Sequence, residues 1–347
     1  MTASPDPVAV RARHRRPSRT VSTVAALAVA GTVAMVLALV LGGGAPQRDP
    51  LTEVGVGTAW ALPVLRLLSD VTAVACIGAL LAAAILLPDD DGRLRLQGRR
   101  AVADATLAAA VWSVAALGLA VSTAAVVLGV PASSLTSRLD DVVALREVRE
   151  IAASAVLAAL VAALVSGTRT RNGARWGLAL AAVALLPPLL SGHAWGATLR
   201  VPATGSRMLH VLAAAIWVGG LAAVARYGRR IDAADLPAMV SRFSRTALPC
   251  AVAVGLSGLL VALLHLAGRD GTLGDAVQAL VNRAYGGIVL AKVAVFALLV
   301  VAGWWHRRRM IAAMLAGRAR PFWYLIAAEL AVMVIAIGLA VALSRTP

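Results

Sequence analysis

Nine stretches of this chain are almost wholly apolar and nearly as long as a bilayer is thick: 22–42, 59–87, 101–130, 149–166, 174–192, 206–227, 246–267, 285–304 and 322–343. A helix crosses the hydrocarbon core with about 20 such residues. A helix is also the spanning form that satisfies its backbone polar groups within one segment. The fold class expected is therefore all-α: a polytopic membrane helical bundle of about nine transmembrane helices, with the bilayer as its first partner. Composition agrees, with 60% hydrophobic and 14% charged residues, against about 25% charged in soluble domains. The second and third runs are long enough to tilt.

Arginine sorts the connections. The segment 1–20 and the loops 88–100, 167–175, 228–245 and 305–320 each carry at least three arginines, whereas 43–58, 131–148, 193–205 and 268–284 are poorer. Nine spans put the basic set on one side, which the positive-inside rule makes the cytoplasm. The N-terminus is then cytoplasmic and the C-terminus outside, in a multi-pass protein of the cell membrane. Trp60 and Trp195 fall near outer ends, and Trp176, Trp304, Trp305 and Trp323 near inner ends, as an aromatic belt requires. Residues 11–20 before the first run resemble a signal peptide, but that run exceeds an h-region of about 7–15 residues, so it is read as an uncleaved span. The organisation expected is a basic, disordered cytoplasmic tail at 1–20, a four-helix membrane region at 21–170 and a five-helix region at 171–347.

The net charge of +16 does not point to nucleic acid, because the arginines fall in short topogenic clusters without interleaved aromatics. Cys76 and Cys250 sit inside apolar runs without CxxC spacing and are read as small core residues. There is no Walker-type loop, nucleotide fingerprint or HExxH, and no extramembrane domain to house ATP hydrolysis. The chain is not expected to be an enzyme.

Three of the five histidines share one depth. His193 closes the fifth run, His210 opens the sixth and His265 closes the seventh, so all three lie near the outer face on consecutive helices. Imidazole suits copper, zinc, iron and nickel, and the thioether of Met208 would favour Cu(I). The plainer alternative is interfacial rings at headgroup level. Trp217 lies seven residues after His210, on the same helix face. Ala215, Gly219 and Ala223 form a small-xxx-small seam that lets another backbone approach.

Charged groups inside the runs form a second set: Arg66 and Asp70, spaced to pair on one helix face, Lys292, the only lysine in the chain, and Glu329. Such groups should face the bundle interior, as part of a transport path or as structural ion pairs.

The segments SGHA (191–194), LHVLAAAIWVGGL (209–221), RFSRTAL (242–248), Ser257-Gly258 and YGGIVLAK (285–292) together resemble the CopD family of bacterial copper-resistance membrane proteins, including the membrane domain of YcnJ-type uptake proteins. The likeness spans about a third of the chain. It implies copper movement across the cytoplasmic membrane, usually inward, with His193 and His210 as candidate ligands and Trp217 and Lys292 as matched positions without a role. Some relatives carry a fused copper-binding domain that this chain lacks, which implies a separate extracytoplasmic copper donor. The expected cargo is a copper ion, with zinc as an alternative metal. The competing functions are a haem b electron-transfer protein using paired histidines, and a copper-delivery assembly factor that does not transport.

Overall fold

The computed structural model describes residues 29, 31–37, 39–40, 54–190, 197–267, 284–305 and 320–343; at 197–202, 261–267, 284–289, 291, 292, 295, 304, 320, 321, 342 and 343 it describes the backbone only. The described chain is all-α apart from one small hairpin. Its long helices are α1 (Val56–Leu81), α2 (Leu96–Leu128), α3 (Arg146–Val165), α4 (Arg171–Ala184), α5 (Ala197–Tyr227), α6 (Leu236–Ala267), α7 (Ala284–Trp305) and α8 (Arg320–Leu343). A helical segment at 31–37 precedes them.

Among the described residues, six helices are long and apolar enough to cross a membrane: Val56–Leu86, Leu96–Leu128, Arg146–Val165, Ala203–Arg230, Leu236–Leu260 and Phe322–Val341. They coincide with six of the nine expected runs. The first run falls mostly outside the described residues, as does the tail at 1–20. The fifth run does not form one long helix. Its helix α4 has 14 residues and is followed by a 3-10 turn at Pro187–Leu189. The Pro187-Pro188 pair removes two amide donors and crowds the preceding turn, which stops α4 short of a bilayer's thickness.

The helices are inside-out in the sense a bilayer demands. On α2 the buried face is Ala101, Ala105, Ala109, Trp112, Ala116 and Ala120, while Leu107, Val111, Val114, Leu117 and Val121 are exposed. Bulky side chains point outward to lipid, and small ones let helices pack closely. α1 is the central helix, packing on α2, α4, α5 and α8.

Among the described residues the tightest crossing joins α1 to α5. A Cβ placed on Gly219 would lie 2.6 Å from the Val74 carbonyl oxygen and 2.9 Å from Gly78 Cα. Only hydrogen fits at both positions. Ala215 and Ala223, one turn to either side of Gly219, are buried, so the seam read from the sequence is the contact surface with α1. Gly338 of α8 is a second such point, where a Cβ would meet the Gly31 carbonyl at 2.6 Å.

Three arginine-rich loops converge at one end of the bundle. The α1–α2 link is the hairpin Asp89–Asp90/Arg93–Leu94, turned through Asp91 and Gly92 with positive φ. Leu94 N donates to Arg169 O at 2.9 Å, Gln97 Nε2 to Arg230 O at 3.0 Å, and Arg95 pairs with Asp235 at 3.6 Å. Asp104 accepts from Arg226 and from the Tyr227 hydroxyl at 2.8 Å. This end of α1 unwinds into a π turn, Ala82–Leu86. Arg171 donates to Ala84 O at 2.9 Å and Ile85 O at 3.3 Å, and Arg242 donates to Leu86 O at 3.2 Å and Leu87 O at 3.3 Å. Two guanidinium groups from different helices thus take up the carbonyls that a helix terminus leaves open, where the macrodipole favours cations. At the far end, Arg146 bonds Glu150 at 2.8 Å and reaches Leu190 O at 3.3 Å.

Candidate functional site

His210 lies on α5 in the half nearer the far end and faces α6. Its Nδ1 is 3.1 Å from Val254 O and 3.1 Å from Ser257 Oγ. The Ser257 hydroxyl is itself committed to the carbonyl of Ala253, one turn back on α6. A carbonyl oxygen can only accept, so Nδ1 carries the proton. In the neutral ring that tautomer puts the lone pair on Nε2. An Nδ1–H anchored on a backbone carbonyl is the usual support of a metal-binding imidazole, because it fixes both ring orientation and tautomer. Gly258 completes the seat: a Cβ there would lie 3.2 Å from His210 Cε1. Ser206, one turn before His210, donates to Ser257 O at 3.1 Å and is buried.

The other expected ligands divide. His193, and the side chains of His265 and Lys292, lie outside the described residues. Met208 is on the same continuous helix as His210, two residues away. That spacing turns it roughly 200° around the axis, so its thioether leaves from the opposite side of α5. Among the described residues no group of three or more His, Cys, Asp and Glu side chains gathers as a metal cluster. Arg66 and Asp70 pair along α1 at 3.3 Å, as the spacing predicts, with about a third of each side chain exposed.

From His210 toward the basic end, the α5–α6 seam opens into a cavity that also touches α7 and α8. Its walls include Trp217, Phe243, Ser244, Leu299, Glu329 and Met333. The contributing positions hold one face on each helix: Trp217, Leu221 and Val224 on α5, Val240, Ser244 and Ala247 on α6, Leu299 and Gly303 on α7, Ile326, Glu329 and Met333 on α8. These are spacings of three and four. Trp217 is two turns below His210 on the same face, and Ala247 is two turns below Val254. The face that holds the histidine therefore continues into the cavity.

An aromatic pair stands between the two levels. The rings of Trp217 and Phe296 meet edge to face at 6.3 Å between centroids. Phe296 reaches α6 at Gly255, where a Cβ would come within 2.9 Å of its Cζ. Gly255 is beside Val254 and Ser257, the partners of His210. Below this pair, Glu329 is 7% exposed and Met333, one turn further along α8, is 2% exposed. Beyond the cavity, at the basic end, Arg229 stacks over Trp323 at 4.7 Å.

Sequence reasoning singled out His210, Trp217 and Glu329. It did not find Met333, Phe296 or the seat for the ring. Ser257-Gly258 figured only as part of a resemblance.

Long helices with small residues inside and leucine and valine outside, enclosing a buried carboxylate, define a multispan membrane protein. Residues 237–343 match the family model CopD, copper resistance protein D. The matched 107 residues supply α6, α7 and α8, hence the seat of His210 and three walls of the cavity; α5, with His210 and Trp217, lies just before them. The match makes this region, less than half of the chain, similar to copper resistance protein D. No curated protein and no solved structure is matched by the chain.

Proposed function

We propose that the protein is a copper permease of the cytoplasmic membrane, taking copper from the outer face inward. The observation that carries this reading is the built seat of His210. Its Nδ1–H is anchored on Val254 O at 3.1 Å, at the head of a helix seam that leads to a cavity holding Glu329. Under the positive-inside rule the arginine-rich end is cytoplasmic, so His210 is on the outer side and the cavity toward the inner. His210 is the entry ligand, joined by His193 and His265 as the imidazoles expected at that depth. Copper arrives from a separate extracytoplasmic donor protein. Trp217 and Glu329 line the onward path.

The test is copper accumulation in cells and flux into proteoliposomes with His210→Ala and His193→Ala. A fall of about tenfold or more is expected, in line with loss of a ligand or its support. Unchanged uptake in both variants overturns the site. Unchanged copper content with the wild-type protein in proteoliposomes overturns transport itself and favours a delivery factor.

A further inference from the structure

The two halves of the cavity differ. The helix directions put Trp217, Glu329 and Met333 toward His210, and Leu221, Val224, Val240, Gly303, Phe322 and Ile326 toward the basic end. The half toward the basic end is thus lined by apolar side chains. We infer that it takes an acyl chain of an anionic phospholipid from the surrounding membrane, whose phosphate is held by Arg229. The inference does not depend on the copper reading given above.

On α8 the wall from Phe322 to Glu329 is about 10 Å long by the helical rise, and Phe322 and Ile326 line it. This half is also open. α7 meets α6 at Phe296, whose Cζ would lie 2.9 Å from a Cβ on Gly255. Two turns nearer the basic end, Gly303 is exposed, and a Cβ on it would have nothing within 4 Å. Among the described residues nothing fills the gap beside Gly303. Lipid tails are as apolar as these side chains, so an acyl chain is the occupant that the gap meets and the lining matches. Glu329 lies beyond the end of that stretch and takes no part in holding it. The chain closes the membrane side of the cavity and leaves Trp217, Glu329 and Met333 as walls of the other half.

Arg229 selects the headgroup. At the basic end Arg95, Arg171 and Arg226 are neutralised by Asp90, Asp89 and Asp104. Arg229 is exposed and, among the described residues, pairs with no carboxylate. It lies instead over the Trp323 ring at 4.7 Å. Trp323 in turn meets Phe322, a wall of the cavity, edge to face at 4.9 Å between centroids. The indole therefore holds a cation at the rim of the apolar half. A stacked guanidinium keeps its edge N–H groups for a phosphate, and basic pockets between membrane helices recognise anionic headgroups. A free phosphate would use Arg229 alone, whereas a phospholipid uses both Arg229 and the cavity.

The experiment offers the full chain in detergent phosphatidylglycerol or phosphatidylcholine of matched acyl chains and follows retained lipid by native mass spectrometry. The wild-type protein is expected to retain phosphatidylglycerol in preference to phosphatidylcholine. Arg229→Gln should weaken phosphatidylglycerol binding about tenfold, as loss of a charged hydrogen bond does, and leave phosphatidylcholine unchanged. Gly303→Leu fills the gap without touching Arg229 and should displace both lipids. Arg99→Gln, at another exposed arginine of the basic end, should bind as wild type. A phosphatidylglycerol with a diazirine in its acyl chain should crosslink to the cavity walls on α7 or α8. Equal retention of the two lipids by the wild-type protein, binding unchanged by Arg229→Gln, or undiminished retention by Gly303→Leu overturns the site. An equal loss in Arg99→Gln overturns it in favour of a diffuse charge effect. Displacement of the lipid by inorganic phosphate, with no crosslink to α7 or α8, overturns it in favour of a free-anion site. Arg229→Gln and the crosslink decide the matter even where Gly303→Leu does not fold. Copper uptake is not the readout, so failure of the lipid site and failure of the permease reading are seen separately.

Discussion

At the scale of single residues, the telling feature is how much of α6 is given over to one imidazole. Val254 supplies a carbonyl, Ser257 an oxygen and Gly258 the space for the ring, at 3.1, 3.1 and 3.2 Å. Losing the hydrogen-bond partners that orient a ligating imidazole typically changes metal affinity or activity by about 10–100-fold. Ser257→Ala removes one of the two acceptors and should weaken copper binding at the lower end of that range, without abolishing it, because Val254 O still holds Nδ1–H. Gly258→Ala drives a methyl group into Cε1 and should have the larger effect by tilting the ring. Gly205→Ala, on α5 with nothing within 4 Å of its added Cβ, is the matched control and should bind as wild type. Chelator-competition titration of the three variants checks the order.

At the scale of elements, the crossing of α1 and α5 sets the frame that carries the seat. A side chain at Gly219 would have to enter space held by α1 backbone, with the Val74 carbonyl at 2.6 Å, and backbone cannot rotate aside as a flexible side chain can. Overpacking of this kind costs about 1–3 kcal/mol or more. Gly219→Ala and Gly78→Ala should both lower the thermal unfolding temperature in detergent and reduce the monodisperse fraction. Gly303→Ala on α7, with open space around it, should leave both unchanged. This seam was legible in the sequence because small residues every four positions have one obvious use in a membrane helix. The π turn at Ala82–Leu86 was not. Its carbonyls depend on Arg171 and Arg242, which lie 86 or 87 and 156 or 155 residues away, and no local pattern encodes such a meeting. The break in the fifth run was present as Pro187-Pro188, but hydropathy averaging hides a turn flanked by leucines. The cavity was half legible: Trp217 and Glu329 stood out as unusual residues, while Phe296 and Met333 looked like ordinary apolar filling until four helices were brought together.

At the scale of the whole molecule, what remains is which end faces which compartment. The arginine-rich loops 88–100, 167–175 and 228–245 are hydrogen-bonded to one another at one end, so they share a side of the membrane, whichever side that is. The positive-inside rule assigns it to the cytoplasm, and the direction from His210 to the cavity becomes inward. Single cysteines test the assignment. Cys76 and Cys250 are first replaced by alanine. A cysteine is then placed at Asp91, exposed in the hairpin of the basic end, or at Ser137, exposed in the 3-10 turn at the far end. In intact cells a membrane-impermeant maleimide should label the Ser137→Cys protein and not the Asp91→Cys protein, and both should react once the membrane is permeabilised. The reverse pattern would place His210 on the cytoplasmic side. Copper would then be captured from within, and the same seat and cavity, met in the same order, would describe export.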